Sequence, residues 1–134
     1  MRAAFDPTHR VLVLQGDEHE YSAFADAVDV RVPTLVFDDL ELDSGSVGIV
    51  AIDFRLVDGP LLIAASVDRA SIAGSAEALQ ALTCDIRLFV RHNDLDEPGI
   101  HSHIEPNWTP SGERYLAQES ASLLLTGYVA AQSR

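Results

Sequence analysis

The sequence predicts an α+β fold: one compact domain with a mainly antiparallel sheet and two helices, at about residues 17–29 and 75–92. Three observations lead there. Several short stretches alternate apolar and polar residues with the period of two that marks a half-buried strand. Two others repeat apolar residues at helical spacing, each directly behind a capping residue. Finally, 134 residues, 47% of them hydrophobic, run on without linker, repeat or low-complexity tract, enough for one core unaided by disulfides or metal.

Ala3–Asp6 and Arg10–Gln15 (RVLVLQ) read as two strands joined by the turn Asp6-Pro7-Thr8. Gly16-Asp17 opens the first helix. Asp17 is a good N-cap, Glu18 and Glu20 place negative charge in the first turn, and Tyr21, Phe24, Ala25 and Val28 fall at i, i+3, i+4 and i+7. A short strand, Thr34–Phe37, follows Pro33. Val47–Val57 alternates, with Val50, Ile52, Phe54 and Leu56 on one face and Asp53 and Arg55 on the other. Asp58-Gly59-Pro60 then turns the chain, and Leu61–Val67 returns as the second arm of a hairpin. Ile72 marks a further short strand before Gly74. Ser75 caps the second helix, in which Leu79, Leu82, Ile86, Phe89 and Val90 make the core-facing stripe. Asn93–Gly99 ends it, and His101–Glu105 and Leu123–Val129 are the last two strands of what the economical architecture makes a single sheet.

Charge narrows the function. Twenty-one acids face nine basic residues, all arginine, for a net charge of −12. Such a chain is not expected to bind nucleic acid, which needs a basic surface to neutralise phosphates. A field of this sign attracts basic proteins instead. Residues 1–67 hold twelve acids and four arginines, and the densest run is Asp38-Asp39-Leu40-Glu41-Leu42-Asp43. It reads as a solvated loop or as a docking surface for a cationic protein. No apolar run approaches the ~20 residues of a membrane span, and MRAAFDPTHR has no apolar signal core. With Cys84 as the only cysteine, a cytoplasmic protein is expected.

The chemistry-bearing residues concentrate between Ile100 and Leu125. His101, His103 and Glu105 alternate, so on a strand they share a face and form a row that can ligate zinc or another first-row metal. A closed tetrahedral site asks for a fourth ligand, and His9, His19 and His92 offer no ligand spacing. Cys84 falls within the second helix, where a buried, inert thiol is expected. The chain has no Gly-x-Ser-x-Gly elbow, and its glycines make no phosphate-binding loop. Trp108, in Pro106-Asn107-Trp108-Thr109-Pro110, is either an interface anchor or a cover for the edge of the core.

His101-Ser102-His103-Ile104-Glu105, then Tyr115-Leu116-Ala117, Glu119-Ser120 and the apolar Leu123-Leu124-Leu125, resemble the carboxy-terminal signature of the Imm32 immunity proteins of bacterial polymorphic toxin loci. The resemblance is strongest over residues 100–126 and extends loosely to the Asp58-Gly59 turn and the Gly74–Leu82 helix start. This chain has Pro106 where the family often places an aromatic, a longer loop before Tyr115, and no alignable counterpart to Asp38–Asp43. The resemblance implies binding without catalysis or cofactor: an acidic protein that occludes a cognate toxin, a basic one by charge. Asp38, Asp39, Glu41 and Asp43 are then the first candidates for the docking face and Trp108 a second, while the motif serves the scaffold, His101 and His103 hydrogen-bonding within the sheet or to the Tyr115–Ser120 loop. Two alternatives stand against it: a small metal-dependent enzyme or metal-binding protein using His101, His103 and Glu105, and a homodimer pairing an exposed strand at Leu123–Val129.

Overall fold

The computed structural model of the chain describes residues 1–39 and 45–127. Its elements follow in the order β1 (Arg2–Asp6), β2 (Val11–Gln15), α1 (Glu18–Asp29), β3 (Thr34–Val36), β4 (Asp38–Asp39), β5 (Val47–Gly48), β6 (Ala51–Leu56), β7 (Leu62–Ser66), β8 (Arg69–Gly74), α2 (Ala76–His92), β9 (His101–Ile104) and β10 (Ser122–Thr126). The α+β class and both helices are as the sequence predicts, and five of the eight pairings among the described residues are antiparallel.

The expected single sheet is instead two. The first runs β4-β1-β2-β10-β9, with β5 also on β1; the second runs β3-β6-β8-β7. Each is apolar on one face, and two half-buried sheets sharing a core with two helices cover each other's apolar faces. Leu12, Leu14, Leu123 and Leu125 of the first sheet, Ile52, Ile63 and Ile72 of the second, and Tyr21, Phe24, Leu82, Ile86 and Phe89 of the helices form one contiguous cluster. Each such side chain contributes about 1.5–3 kcal/mol by leaving water.

Local chemistry sets the ends of α1. Asp17 accepts from Glu20 N at 2.8 Å while the Glu20 carboxylate accepts from Asp17 N at 3.0 Å, a closed capping box. The Met1 ammonium pairs with the same Glu20. Tyr21 then ties helix to sheet: its hydroxyl lies 2.8 Å from Leu14 O and 2.7 Å from Thr126 O, and accepts from Thr126 N at 2.9 Å. Its ring meets Phe89 of α2 edge to face at 5.4 Å. Arg87 of α2 reaches both Asp26 and Asp29 of α1, at 2.8 and 2.7 Å.

The predicted hairpin across Asp58-Gly59-Pro60 does not form. β6 pairs with β3 and, in parallel, with β8; β7 pairs with β8 through the two-residue turn Val67-Asp68. Residues 57–61 cross the end of β8 rather than reversing beside β6. Val57 N donates to Gly74 O, Ser75 N to Gly59 O, and Leu61 exchanges bonds with Tyr115 O and Ala117 N. Gly59, at φ +107°, makes the bend. Gly74 makes room for the crossing, since a Cβ there would sit 2.5 Å from Leu61 Cδ2 and 3.0 Å from Leu61 Cα. The residues around Ile72, expected to be a minor strand, are the six-residue strand with a partner on each side.

The last strand also changes place. β10 lies between β2 and β9, so the Leu123–Val129 segment offers no exposed edge for a homodimer over its described residues. The outermost strand on that side is β9.

Candidate functional site

β9 is fixed by its register with β10, Ile104 opposite Leu123, His103 opposite Leu124, Ser102 opposite Leu125 and His101 opposite Thr126. Directly paired residues share a face. Ile104 and Leu123 therefore point into the core, both fully buried, and His101 and His103 stand exposed on the other side beside Leu124 and Thr126. The two imidazoles meet, ring centres 5.2 Å apart and planes at 87°. Gly99 turns the chain into the strand at φ +80°, and its carbonyl accepts from His101 Nδ1 at 2.8 Å.

Glu105 does not join them. Its N–H donates to Trp108 O at 2.8 Å and its carbonyl accepts from Trp108 N at 3.1 Å, closing a tight turn around Pro106 and Asn107. Among the described residues, no three His, Cys, Asp or Glu side chains gather as a metal site. Of the predicted row, the structure assembles the two histidines alone.

The second half of the motif is structural. Tyr115 is buried, and its hydroxyl donates to Asp85 Oδ2 at 2.6 Å, while Ser111 N donates to Asp85 Oδ1 at 3.1 Å. Asp85 itself is wholly buried on α2. Burial, and then the bond to the Asp85 carboxyl, push the Tyr115 phenol well above its usual range, so it stays a protonated donor. Leu116 bridges to Leu61, and Ser120 Oγ accepts from Ile63 N and donates to Ala121 O, each at 2.8 Å. Segment 115–121 thus covers the outer edge of β7 and fastens it to α2. Among the described residues no hydrogen bond joins either histidine to this segment; His101 bonds to Gly99 O instead.

Asp85 escaped the sequence reading, although its signal is there: an acid at i+3 from Leu82 and i−4 from Phe89, inside an apolar stripe. Cys84 is a correction. It is exposed, because one residue before Asp85 the helix has turned it away from the core.

Of the candidate docking residues, the structure describes Asp38, Asp39 and Trp108, and it places Trp108 apart from the other two. Asp38 is exposed on β4, where its N–H donates to Met1 O at 3.1 Å, and Asp39 pairs with Ala3. Glu41 and Asp43 lie outside the described residues. Trp108, 56% exposed, follows β9 at the opposite edge of the first sheet. Four inter-strand steps of about 4.8 Å put the two edges roughly 19 Å apart.

A further surface went unforeseen. On the second sheet an open hollow of about 590 Å³ is lined by Ala64, Ser66, Asp68, Ser71 and the Asp53–Arg69 pair. Arg69 reaches Asp53 at 2.7 and 3.2 Å, and Thr34 Oγ1 donates to Asp53 at 2.8 Å. These bonds hold the Asp53 carboxyl below its usual range and the Arg69 guanidinium above its own. Val67 stands at the rim, 84% exposed with φ +58°.

Compared with models of known protein families, with curated proteins and with solved structures, the chain finds no match.

Proposed function

We propose that this chain is an immunity protein that neutralises a cognate bacterial toxin by binding it one to one and covering its working surface. Charge carries the reading: a net −12 on 134 residues, with no lysine, steers a basic partner into encounter. The fate of the shared-looking motif supports it. Tyr115, Leu116 and Ser120 are spent on holding β7 to α2, which suits a scaffold whose partner surface lies elsewhere. Asp38 and Asp39 at one edge of the first sheet are the steering groups, and Trp108 at the other is the anchor that slows release.

The test is reconstitution with the toxin domain encoded beside this chain. A one-to-one complex that abolishes toxicity is the expected result. Replacing Asp38 and Asp39 by Asn should slow association and flatten its salt dependence, whereas Trp108→Ala should speed dissociation. An adjacent product that is neither bound nor inhibited would end the proposal.

A further inference from the structure

We infer that His101 and His103 are half of a transition-metal site that a second copy of this chain completes. The site is independent of the toxin-binding reading.

Each imidazole is suited to the task. His101 Nδ1 donates to Gly99 O at 2.8 Å, which places the proton on Nδ1 and leaves the Nε2 lone pair free. Metal-bound histidines are ordinarily oriented by such a bond from the other ring nitrogen. His103 stands one pleat along, on the same exposed face. The ring centres are 5.2 Å apart. Two imidazoles bound to one tetrahedral zinc through bonds of about 2.1 Å have their centres about 5 Å apart. The pair therefore already has the spacing of a chelate.

Two ligands do not fill a zinc ion, and this chain brings no third: Glu105 is turned into its bridge with Trp108, and no larger His, Cys, Asp or Glu group exists among the described residues. The topology supplies the remainder. β9 ends the first sheet, paired with β10 on one side and with no strand on the other among the described residues. Antiparallel pairing of β9 with its copy, about a two-fold axis at Ser102, sets His101 against His103 of the partner subunit and His103 against His101 of the partner subunit. Directly opposed residues share a face with Cβ atoms about 5 Å apart, and alternate residues of one strand are about 7 Å apart. Four imidazoles then stand over one patch, the number that a closed tetrahedral site takes. Such a contact is isologous, as a two-fold dimer requires. Two chains of net charge −12 repel each other, so the cation is a condition of the dimer and not an ornament on it.

The experiment uses untagged, metal-stripped protein titrated with zinc chloride, with molar mass followed by light scattering and stoichiometry by calorimetry. A monomer that becomes a dimer at one zinc per two chains, and reverts with chelator, is expected. Losing even an orienting partner of a ligand costs about 10–100-fold in metal affinity. His101→Ala and His103→Ala should each therefore cost at least tenfold and abolish zinc-dependent dimerisation. Glu105→Gln should match the parent. Both histidines are exposed, so circular dichroism should report the fold intact in either variant. No zinc binding, one zinc per monomer without change of mass, or a dimer that survives His103→Ala would each overturn the inference.

Discussion

Replacing Tyr115 by Phe removes one oxygen and nothing else, at a place where its partner has no water to turn to. Asp85 is wholly buried and accepts two bonds, from Tyr115 at 2.6 Å and from Ser111 N at 3.1 Å. A bond of this kind to a carboxyl group contributes about 1.5–3 kcal/mol, and a buried acceptor left without it keeps its desolvation cost. Tyr115→Phe should therefore destabilise the chain by about 2 kcal/mol, read as a lower urea midpoint at unchanged m. Asp85→Ala releases Ser111 as well and should cost about 3 kcal/mol. The double variant should cost much less than the two added, because both remove the same bond. The pH dependence gives a second signature. The folded phenol titrates above its unfolded value of 10.0. Above pH 10 the unfolded chain therefore gives up a proton that the folded chain retains, and stability falls as pH rises, by up to about 1.4 kcal/mol per unit. Below pH 10 this contribution is present in full. Tyr115→Phe should lack that part of the alkaline decline. Single costs that simply add, or a Phe variant within 0.5 kcal/mol of the parent, would refute the bond's role.

Three further outcomes follow from the same geometry. Gly74→Ala should destabilise by about 1–3 kcal/mol in chemical denaturation, because its methyl meets Leu61 backbone where residues 57–61 cross β8. Val67→Asn should raise the melting temperature, relieving about 1 kcal/mol of left-handed strain at φ +58° in a side chain 84% exposed and so with little packing to lose. Cys84 should be alkylated stoichiometrically by iodoacetamide in the folded protein; labelling only at the rate of unfolding would contradict its exposure.

What sequence can and cannot tell here divides by distance along the chain. Both helices are legible because each carries its own cap: Asp17 with Glu20, and Ser75 with the N–H of Ala78. The β1–β2 pair is legible for the same reason, since Asp6 closes its own turn on Thr8 N and His9 N at 3.0 and 3.2 Å. The second sheet is not. β8 reads RASIAG, small residues with little strand preference, and becomes central only because β6 and β7 both pair with it. The false hairpin has a local turn signal at Asp58-Gly59, whereas the bonds that decide otherwise come from Tyr115 and Ala117, more than fifty residues away. For Cys84, helical phase outweighs residue type. At 100° per residue it lies 200° from Leu82, on the far side of the helix from the stripe. The histidine pair was visible as alternation; that β9 would be a sheet edge was visible nowhere in the local pattern.

The position of β10 has a bearing on synthesis. It is the last described strand, yet it occupies the interior of the first sheet, against β2 about 110 residues upstream, a separation that places this chain among topologies that fold late and slowly. A nascent chain lacking β10 would show β2 as a raw edge and leave Leu12 and Leu14 half covered, a sticky intermediate of the sort that ribosome-associated chaperones shield. Docking of Tyr21 onto Thr126 would then be a closing event, locking the first helix to β10 once translation has delivered it.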